Sequence, residues 1–401
     1  MALLPITPAH ASVGPASPRL SGVDFLTGYH SITPWAFDFP RIKADGANTV
    51  SFDVWWRVPD FSSNSVTPDF TKATAAPVTP TDTDADLITA ARQAHQAGLN
   101  VVLTPKIVIG SNVNNSGWRG LYNPPNPANF FTNYAAMTNH YASLAQQAGM
   151  SMLVVGSEMI ASDRYTSYWR RVIASARQRF TGQIGYEVDW REISQFSWGD
   201  AVDALLLSAY FPLSNDENPT LSQLEAGWHS YQAPGQTTTQ DAFSAVADFA
   251  RRWSKPIIFG EAGYTATTYP ADQPWWNKPN PTVAPQSQYL AYEALLDTFV
   301  GQPWWGGVLW WAWNDGGPRS PENKPAERLI GSQCAGPPST AQHGETLLGP
   351  CHTKLASVGS APSNSTKAVG GIALGTLLLA VATLLSLGWF RLPRRHRAEM
   401  R

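Results

Sequence analysis

Short apolar runs alternate with longer segments of helical spacing between residues 21 and 317. The short runs, rich in β-branched residues, predict buried strands at 22–25, 49–54, 100–105, 151–155, 183–188, 204–209, 256–259 and 307–311. Apolar residues that recur at helical spacing predict helices at 85–97, 130–147, 165–180, 240–253 and 286–299. Gly98, Gly149 and Gly182 follow three of these segments, as glycine commonly does where a helix ends.

Eight strands interleaved with helices predict an α/β fold, a (β/α)8 TIM barrel, over residues 21–317. The alternative is an open doubly wound sheet, which often carries a glycine-rich phosphate turn after its first strand. No such turn follows residue 25. The pattern therefore favours the barrel.

The C-terminal part of the chain contains an uncharged run at 369–390, VGGIALGTLLLAVATLLSLGWF. As a helix it is about 33 Å long, enough to cross a hydrocarbon core of about 30 Å. Arginines crowd the segment 391–401, so the positive-inside rule predicts a single-pass transmembrane helix with a basic cytoplasmic tail. Residues 318–368, rich in Pro, Gly, Ser and Thr, predict a stalk. We expect a lipid bilayer as a partner and an extracellular barrel held at the cell membrane.

Two features of the tails fit export. Residues 1–20 read as a leader in which Ala9-His10-Ala11 matches a signal-peptide cleavage pattern, the alternative being an ordinary disordered leader. Cys334 and Cys351 predict a disulfide that closes a small loop, the alternative being two unrelated free thiols. Neither cysteine has a His or Cys neighbour at zinc-ligand spacing.

Composition narrows the class of ligand. With 43% hydrophobic and 14% charged residues the chain can bury a large core, which excludes overall disorder. A formal charge of −2 argues against a nucleic-acid binder. The chain has 17 Trp, 13 Tyr and 16 Phe. Aromatic, charge-poor surfaces suit flat, uncharged ligands such as sugars, although such residues also fill cores.

Two glutamates follow strands at the end where barrels carry their chemistry. Glu158 lies in VGSEM after the fourth strand, and Glu261 lies in FGEAGY after the seventh. Glycoside hydrolysis needs such a pair, one protonated to assist the leaving group and one ionised to attack. A separation of about 5–5.5 Å would mean retention and a wider gap inversion. The alternative is that each glutamate is a structural ion-pair partner.

These motifs resemble the clan A retaining glycoside hydrolases, and more narrowly glycoside hydrolase family 113, known for β-mannanases. The other matching stretches are GWRG at 117–120, SAYFPL at 208–213 and GVLWWAWN at 307–314. The resemblance implies that Glu158 is the acid/base, that Glu261 is the nucleophile and that the substrate is a β-linked glycan such as mannan. Ser157 stands where many clan members have Asn, and family 113 also uses a small hydroxyl residue there. Which group binds the sugar 2-hydroxyl stays open.

The resemblance also implies that Tyr210, at the end of the sixth strand, hydrogen-bonds the nucleophile. A tryptophan of the eighth strand, Trp311 or Trp313, is expected to form the floor under a sugar ring. Strand alternation sends Trp310 and Trp311 to opposite faces. We favour Trp311 inward, with Trp310 packed against helices.

Further candidates for substrate binding lie after the second and third strands. Trp55 or Trp56 is expected to line a subsite, and Lys106 to reach the cleft. Trp118 and Arg119 lie in the loop after the third strand, where arginine can bind sugar hydroxyls. No role is assigned to Asp189 or Trp190.

Other reaction classes lack their residues. No His-x-His pair follows the first strand and no G-x-S-x-G occurs, which disfavours a barrel metallohydrolase and a serine hydrolase. Asp82, Asp84 and Asp86 alternate as in a calcium loop, but the required Gly and distal Glu are missing. We expect them to cap the next helix and to favour its positive N-terminal end, and we expect no metal or cofactor.

The sequence thus predicts a monomeric cell-surface retaining glycosidase acting on an oligo- or polysaccharide. Two alternatives stay open: a non-catalytic barrel that binds glycans, and a transglycosylase that uses the same residues.

Overall fold

Eight parallel strands close into a barrel in the computed structural model, which describes residues 19–27, 35–70, 81–110, 117–314 and 316–332. Neighbours follow the order β1-β9-β8-β7-β6-β5-β4-β2, and β1 also pairs with β2, which closes the sheet. The barrel strands are β1 (Leu20–Leu26), β2 (Thr49–Val58), β4 (Asn100–Ile109), β5 (Met152–Ser157), β6 (Gln183–Asp189), β7 (Ala204–Ser208), β8 (Ile257–Ala262) and β9 (Trp305–Trp310). A two-residue strand, β3 (Thr67–Pro68), adds to β2 in antiparallel register. The predicted (β/α)8 TIM barrel is confirmed.

Helices surround this barrel and are amphipathic or largely buried. They are α1 (Trp35–Ala44), α2 (Asp84–Gln96), α3 (Pro127–Gln147), α4 (Ile160–Asp163), α5 (Thr166–Arg177), α6 (Leu221–His229), α7 (Ala242–Trp253) and α8 (Pro285–Phe299). The five predicted helices are confirmed to within a few residues, while α1, α4 and α6 were not predicted. Gly98 and Gly149 follow α2 and α3 with φ of 79° and 66°, the left-handed turn that ends a helix. Asp84 and Asp86 lie in the first turn of α2, as expected, but the prediction that an aspartate caps this helix is wrong. Thr83 is the N-cap residue, and its hydroxyl oxygen accepts from the Asp86 N–H.

The barrel interior changes character along its axis. Val102, Val154, Leu206 and Ile258 belong to a small apolar cluster separate from the main core, which packs the strands against the helices. Toward the carboxyl ends of the strands the inward face becomes polar. Side chains alternate faces with a period of two, so residues an even number of positions apart share a face. Lys106 follows Val102 by four residues along β4 and so continues its face. The barrel interior is therefore apolar around Val102 and charged nearer the carboxyl ends of the strands.

Strand β8 breaks this alternation directly before Glu261. Leu207 of β7 pairs with Phe259 of β8, but the next residue, Ser208, pairs with Glu261. Gly260 is therefore an extra residue, as in a β-bulge, and the bulge re-aims the side chain that follows. A Cβ on Gly260 would lie 2.6 Å from a carboxylate oxygen of Glu187, so only glycine fits there. The bulge turns Glu261 into the barrel interior.

The chain beyond the predicted end of the barrel is still part of it. Ala326 and Ile330 are fully buried, and Glu327 forms an ion pair of 2.6 Å with Arg41 of α1. The Ser21 hydroxyl donates to the carbonyl of Ile330 at 2.5 Å. Residues 318–332 therefore pack on the barrel, and the predicted start of the stalk at residue 318 is too early. Six of its fifteen residues are proline, glycine or serine, which gave the segment the composition of a linker.

Several predictions fall on other parts of the chain. The leader up to residue 18, the disulfide between Cys334 and Cys351, the rest of the stalk and the segment 369–390 lie outside the described residues. Within the described ranges, no helix combines the length and apolar character needed to cross a bilayer.

Candidate active site

A cavity of about 660 Å³ opens at the carboxyl ends of the barrel strands. This is the end at which TIM-barrel enzymes carry their active sites, and the volume lies in the usual range for ligand pockets. Its lining combines tryptophans with charged side chains. The described residues that line it are Leu26, Trp55, Ile107, Val108, Gly117, Trp118, Arg119, Glu158, Asp189, Trp190, Arg191, Tyr210, Glu261, Trp275, Asn277, Trp311, Asn314, Gly317 and Arg319.

Glu158 enters the cavity from the end of β5 on a strained backbone. Its φ is 51°, in the left-handed region that non-glycine residues rarely adopt and that is often found at functional sites. The backbone N–H of Glu158 donates to the carbonyl of Glu187 at 2.9 Å, which holds this turn against the neighbouring strand. A Cβ on Gly156 would lie 2.6 Å from the Tyr186 ring, so the strand passes close to the core just before the turn.

Three donors surround the carboxylate of Glu158. The Ser208 hydroxyl donates to Oε1 at 2.5 Å, while the Trp118 indole N–H donates to Oε2 at 3.1 Å. Arg119 Nη2 lies 3.0 Å from the same Oε2. Burial raises the pKa of Glu158, but the Arg119 charge and the hydrogen bonds from Ser208 and Trp118 outweigh burial and lower the pKa below its usual range.

The GWRG motif folds so that both of its central side chains reach Glu158. Arg119 begins a single 3-10 turn, Arg119–Leu121, and its Nε donates to the carbonyl of Ser157 at 2.9 Å. The Trp118 ring covers Gly120, where a Cβ would lie 2.3 Å from the indole. This glycine lets the indole fold back over its own turn.

Glu261 receives a different set of partners. The Tyr210 hydroxyl donates to Oε2 at 3.0 Å, and Lys106 Nζ forms a close ion pair with Oε1. Arg119 Nη2 lies 3.7 Å from this Oε1.

Arg119 also limits the distance between the two carboxylates. The same nitrogen lies 3.0 Å from Glu158 Oε2 and 3.7 Å from Glu261 Oε1, so these two oxygens are at most 6.7 Å apart, the sum of the two distances. Retaining glycosidases separate their carboxyls by about 5–5.5 Å, and inverting enzymes by about 6.5–9.5 Å. Separations up to 6.7 Å include the whole range found in retaining enzymes and only the shortest separations found in inverting enzymes.

Lys106 lies beneath the cavity in a buried charge network. It is 1% exposed, bonds Asp53 Oδ2 at 2.8 Å as well as Glu261, and lies 3.9 Å from Glu187 Oε2. Burial disfavours its charge, but Asp53, Glu261 and Glu187 together raise its pKa, so it stays protonated. Its placement corrects the prediction that Lys106 reaches the cleft, because it does not line the cavity.

The acids around Lys106 cannot all be ionised together. Burial, followed by the charge of Glu261, raises the pKa of Glu187 to about 8. Burial raises the pKa of Asp53 to about 6, although Lys106 opposes this shift. Burial and the neighbouring Asp53 raise the pKa of Asp24 well above its usual range. With Glu187 protonated at neutral pH, the charge of Lys106 acts on Glu261 and Asp53, the two acids that it bonds.

The structure brings the other predicted binding residues together. Tyr210, Trp311, Trp118, Arg119 and Trp55 all line the cavity. Lys106 Nζ lies 4.5 Å from the centre of the Trp311 ring, which anchors this indole from below.

The remaining strand-end aromatics pack elsewhere. Trp310 is buried and stacks on Tyr292 of α8, as expected, with ring centres 3.7 Å apart. Trp313, the other candidate for the floor of the site, is fully buried. Trp56 points away from the cavity and donates its indole N–H to Tyr141 at 2.7 Å.

Several residues of the site were not predicted from sequence. Asp53 and Glu187 belong to the charge network, Ser208 bonds Glu158, and Arg191 and Trp275 line the cavity wall. The sequence of β2 contained a signal for Asp53. Ser51, Asp53 and Trp55 alternate with apolar residues, which indicates that these three side chains share one face of the strand. Among the described residues, no group of three or more His, Cys, Asp or Glu side chains has a geometry that could hold a metal ion.

Comparisons with known proteins point to one family. The sequence model of Glycoside Hydrolase Family 113 matches residues 40–327. The fold is similar to that of a family 113 β-mannanase from Alicyclobacillus acidocaldarius, with 22% identity, a TM-score of 0.65 and coverage of 79% of this chain and 97% of that chain. A second structure, a family 113 β-1,4-mannanase, is 21% identical with a TM-score of 0.63, covering 79% of this chain and 98% of that one. None of the curated protein sequences matches significantly.

Proposed function

The chain belongs to glycoside hydrolase family 113, and from this we propose that it hydrolyses a β-linked mannan with retention of anomeric configuration. In the first step Glu261 attacks the anomeric carbon while Glu158 donates a proton to the departing glycosidic oxygen. The bond to the leaving group breaks and an ester between the sugar and Glu261 forms. In the second step Glu158 takes a proton from water, and the water oxygen displaces Glu261.

The position of Arg119 is the observation that carries this proposal. Its guanidinium contacts both carboxylates, which limits their separation to 6.7 Å and leaves room for direct displacement by Glu261. Tyr210 and Lys106 hold the Glu261 carboxylate in place through a hydrogen bond and an ion pair. Trp311 offers a flat face for the sugar ring bound at the site, and Arg119 lines the same cavity as a donor for sugar hydroxyls.

The substrate and the stereochemistry can be tested in one experiment. We expect the purified protein to release oligosaccharides from β-1,4-mannan, and to act less on β-glucan and xylan. Proton NMR of the fresh products should show the β-anomer first, with the α-anomer appearing only as mutarotation proceeds. An initial α-anomer would contradict retention. Binding to glycans without release of reducing ends would favour a non-catalytic barrel, and transfer to an added oligosaccharide would favour a transglycosylase.

Replacing Ser208 with alanine is expected to move the alkaline limb of kcat/KM to higher pH. The Ser208 hydroxyl stabilises the ionised carboxyl of Glu158, so its loss raises the pKa of Glu158 and keeps the acid protonated over a wider range. A hydrogen bond to a charged group contributes about 1.5–3 kcal/mol, which corresponds to a shift of about 1–2 pH units.

The measurement is the pH profile of kcat/KM for the natural protein and for the Ser208→Ala variant. Ser214→Ala provides the control, because the Ser214 hydroxyl contacts Asp216 instead of Glu158. An alkaline limb that stays in place in Ser208→Ala, with the rate alone reduced, would contradict the role given to Glu158.

We also propose that the enzyme acts at the cell surface. The uncharged run at 369–390 followed by arginines supports a single membrane anchor with the barrel outside. Protease treatment of intact cells should then release the barrel, while cells that retain it would contradict the proposed orientation.

A further inference from the structure

Two tryptophans form one wall of the cavity. Trp190, just after β6, and Trp275, in the loop after β8, lie with ring centres 5.9 Å apart and planes inclined by 29°. Both line the cavity, and Trp275 is 44% exposed. Leaving so much indole surface in water is unfavourable unless a ligand covers it.

The wall is fixed from behind. Trp190 packs against Phe211 with ring centres 5.2 Å apart, and Phe211 packs against the fully buried Trp228 at 5.7 Å. The buried guanidinium of Arg319 donates twice to the carbonyl of Pro274, at 3.1 and 2.7 Å. The residue before Trp275 is thereby tied down. A flat surface ordered in advance loses little entropy when it binds a ring.

Neighbouring contacts place this wall on one side of the catalytic pair. The Arg191 guanidinium lies 4.3 Å from the centre of the Trp118 ring and 5.5 Å from that of Trp190. Trp118 in turn bonds Glu158. Glu261 is instead held by Tyr210 and Lys106. Arg191 thus connects the aromatic wall to Trp118 and to the acid, Glu158, that protonates the glycosidic oxygen of the leaving group.

The charge of the wall also restricts its ligand. Arg191 makes two bonds to the buried Asp189, at 2.8 and 2.7 Å, so the charge of Arg191 is balanced. An indole stack beside a neutralised ion pair suits an uncharged sugar.

We propose that Trp275, supported by Trp190, is a stacking surface for an uncharged sugar unit of the leaving group, beyond the sugar that Glu158 protonates. This rests on the proposed function of Glu158 and Glu261. It predicts that the enzyme cleaves within a glycan chain and gains rate from sugars on the leaving-group side.

The test compares Trp275→Ala with Trp276→Ala. Trp276 is the adjacent residue, is 47% exposed and does not line the cavity, so it matches Trp275 in size and exposure. Each variant is assayed on β-1,4-mannohexaose and on an aryl β-mannobioside, whose leaving group is a phenol and places no sugar on the wall. Trp275→Phe keeps a flat ring, and Trp275→Leu keeps apolar bulk without one.

We expect Trp275→Ala to lower kcat/KM on mannohexaose about 10-fold and to leave the aryl glycoside unchanged. Trp276→Ala should change neither, and Trp275→Phe should retain more activity on mannohexaose than Trp275→Leu. Equal losses on both substrates, or equal behaviour of the Trp275 and Trp276 variants, would overturn the stacking role. If Trp275→Ala does not fold, the kcat/KM values of Trp275→Phe and Trp275→Leu on mannohexaose test the stacking role instead. A natural protein inactive on every β-glycan would instead refute the proposed function.

Discussion

Replacing Glu261 with alanine is expected to lower kcat/KM by at least about 10³-fold, because the group that forms the bond to the sugar is gone. The cavity should persist in this variant, since Trp55, Trp118 and Trp311 come from other elements. Azide is small enough to occupy the space left by the carboxylate. It should restore turnover and yield the α-glycosyl azide, because it attacks the β-glycoside directly from the opposite face.

The companion change, Glu158→Ala, should behave differently. It removes proton transfer, which contributes about 10²–10⁴-fold, so the loss should be large for oligosaccharides and small for aryl glycosides with good leaving groups. Azide should again restore turnover, but here it attacks the ester on Glu261 and yields the β-glycosyl azide. Glu217→Ala, on an exposed residue, serves as the control. Identical azide products from both variants would show that the two roles are wrongly assigned.

The second large effect is expected from Lys106→Met, which should lower kcat/KM about 10²-fold or more. Lys106 Nζ bonds both Asp53 and Glu261 in a buried position, so its loss leaves two carboxylates without their cation. Breaking a buried ion pair from one side typically costs about 3–5 kcal/mol of stability. Glu261 also loses the cation that holds its carboxylate, so the rate should fall even in molecules that stay folded.

The measurements are thermal unfolding and kcat/KM at a temperature at which the variant is folded. Lys43→Met is the matched control, because Lys43 bonds the carbonyl of Gly98 at the surface. The double variant Asp53→Asn with Lys106→Met removes both charges of one pair and should recover part of the stability. A Lys106→Met variant that is folded and keeps its activity would mean that Lys106 only supports the fold.

The hydrophobic pattern was sufficient to predict the barrel, but strand ends limited what it revealed about the site. The predicted third strand ends at residue 105, whereas β4 continues to Ile109. Lys106 therefore lies inside a strand and points into the barrel, while a loop position had suggested contact with substrate. The same extension of β2 to Val58 explains why Trp55 lines the cavity and Trp56 faces Tyr141.

Functional residues directly after a strand could be predicted from the sequence. Functional residues within a strand could not, because their role depends on the register of the strand and on which face points inward. Glu158 and Glu261 stand in short motifs that contain a glycine, one or two residues before the glutamate, so their sequence context marked them. Glu187 lies within a strand whose neighbours are apolar, and its role depends on which face is inward. Trp275 belongs to a long loop whose path is fixed by Arg319, more than forty residues later, a contact that no local pattern contains.

The left-handed backbone of Glu158 has a consequence for the molecule as a whole. Holding a glutamate at φ 51° costs about 1–3 kcal/mol, which the surrounding contacts must offset. Glycine at this position would relieve that strain while abolishing proton transfer. The barrel is thus less stable than it would be with glycine at position 158, and this loss of stability keeps the acid in place. In a relative that is no longer selected for activity, replacement of this glutamate by glycine would give a more stable but inactive barrel.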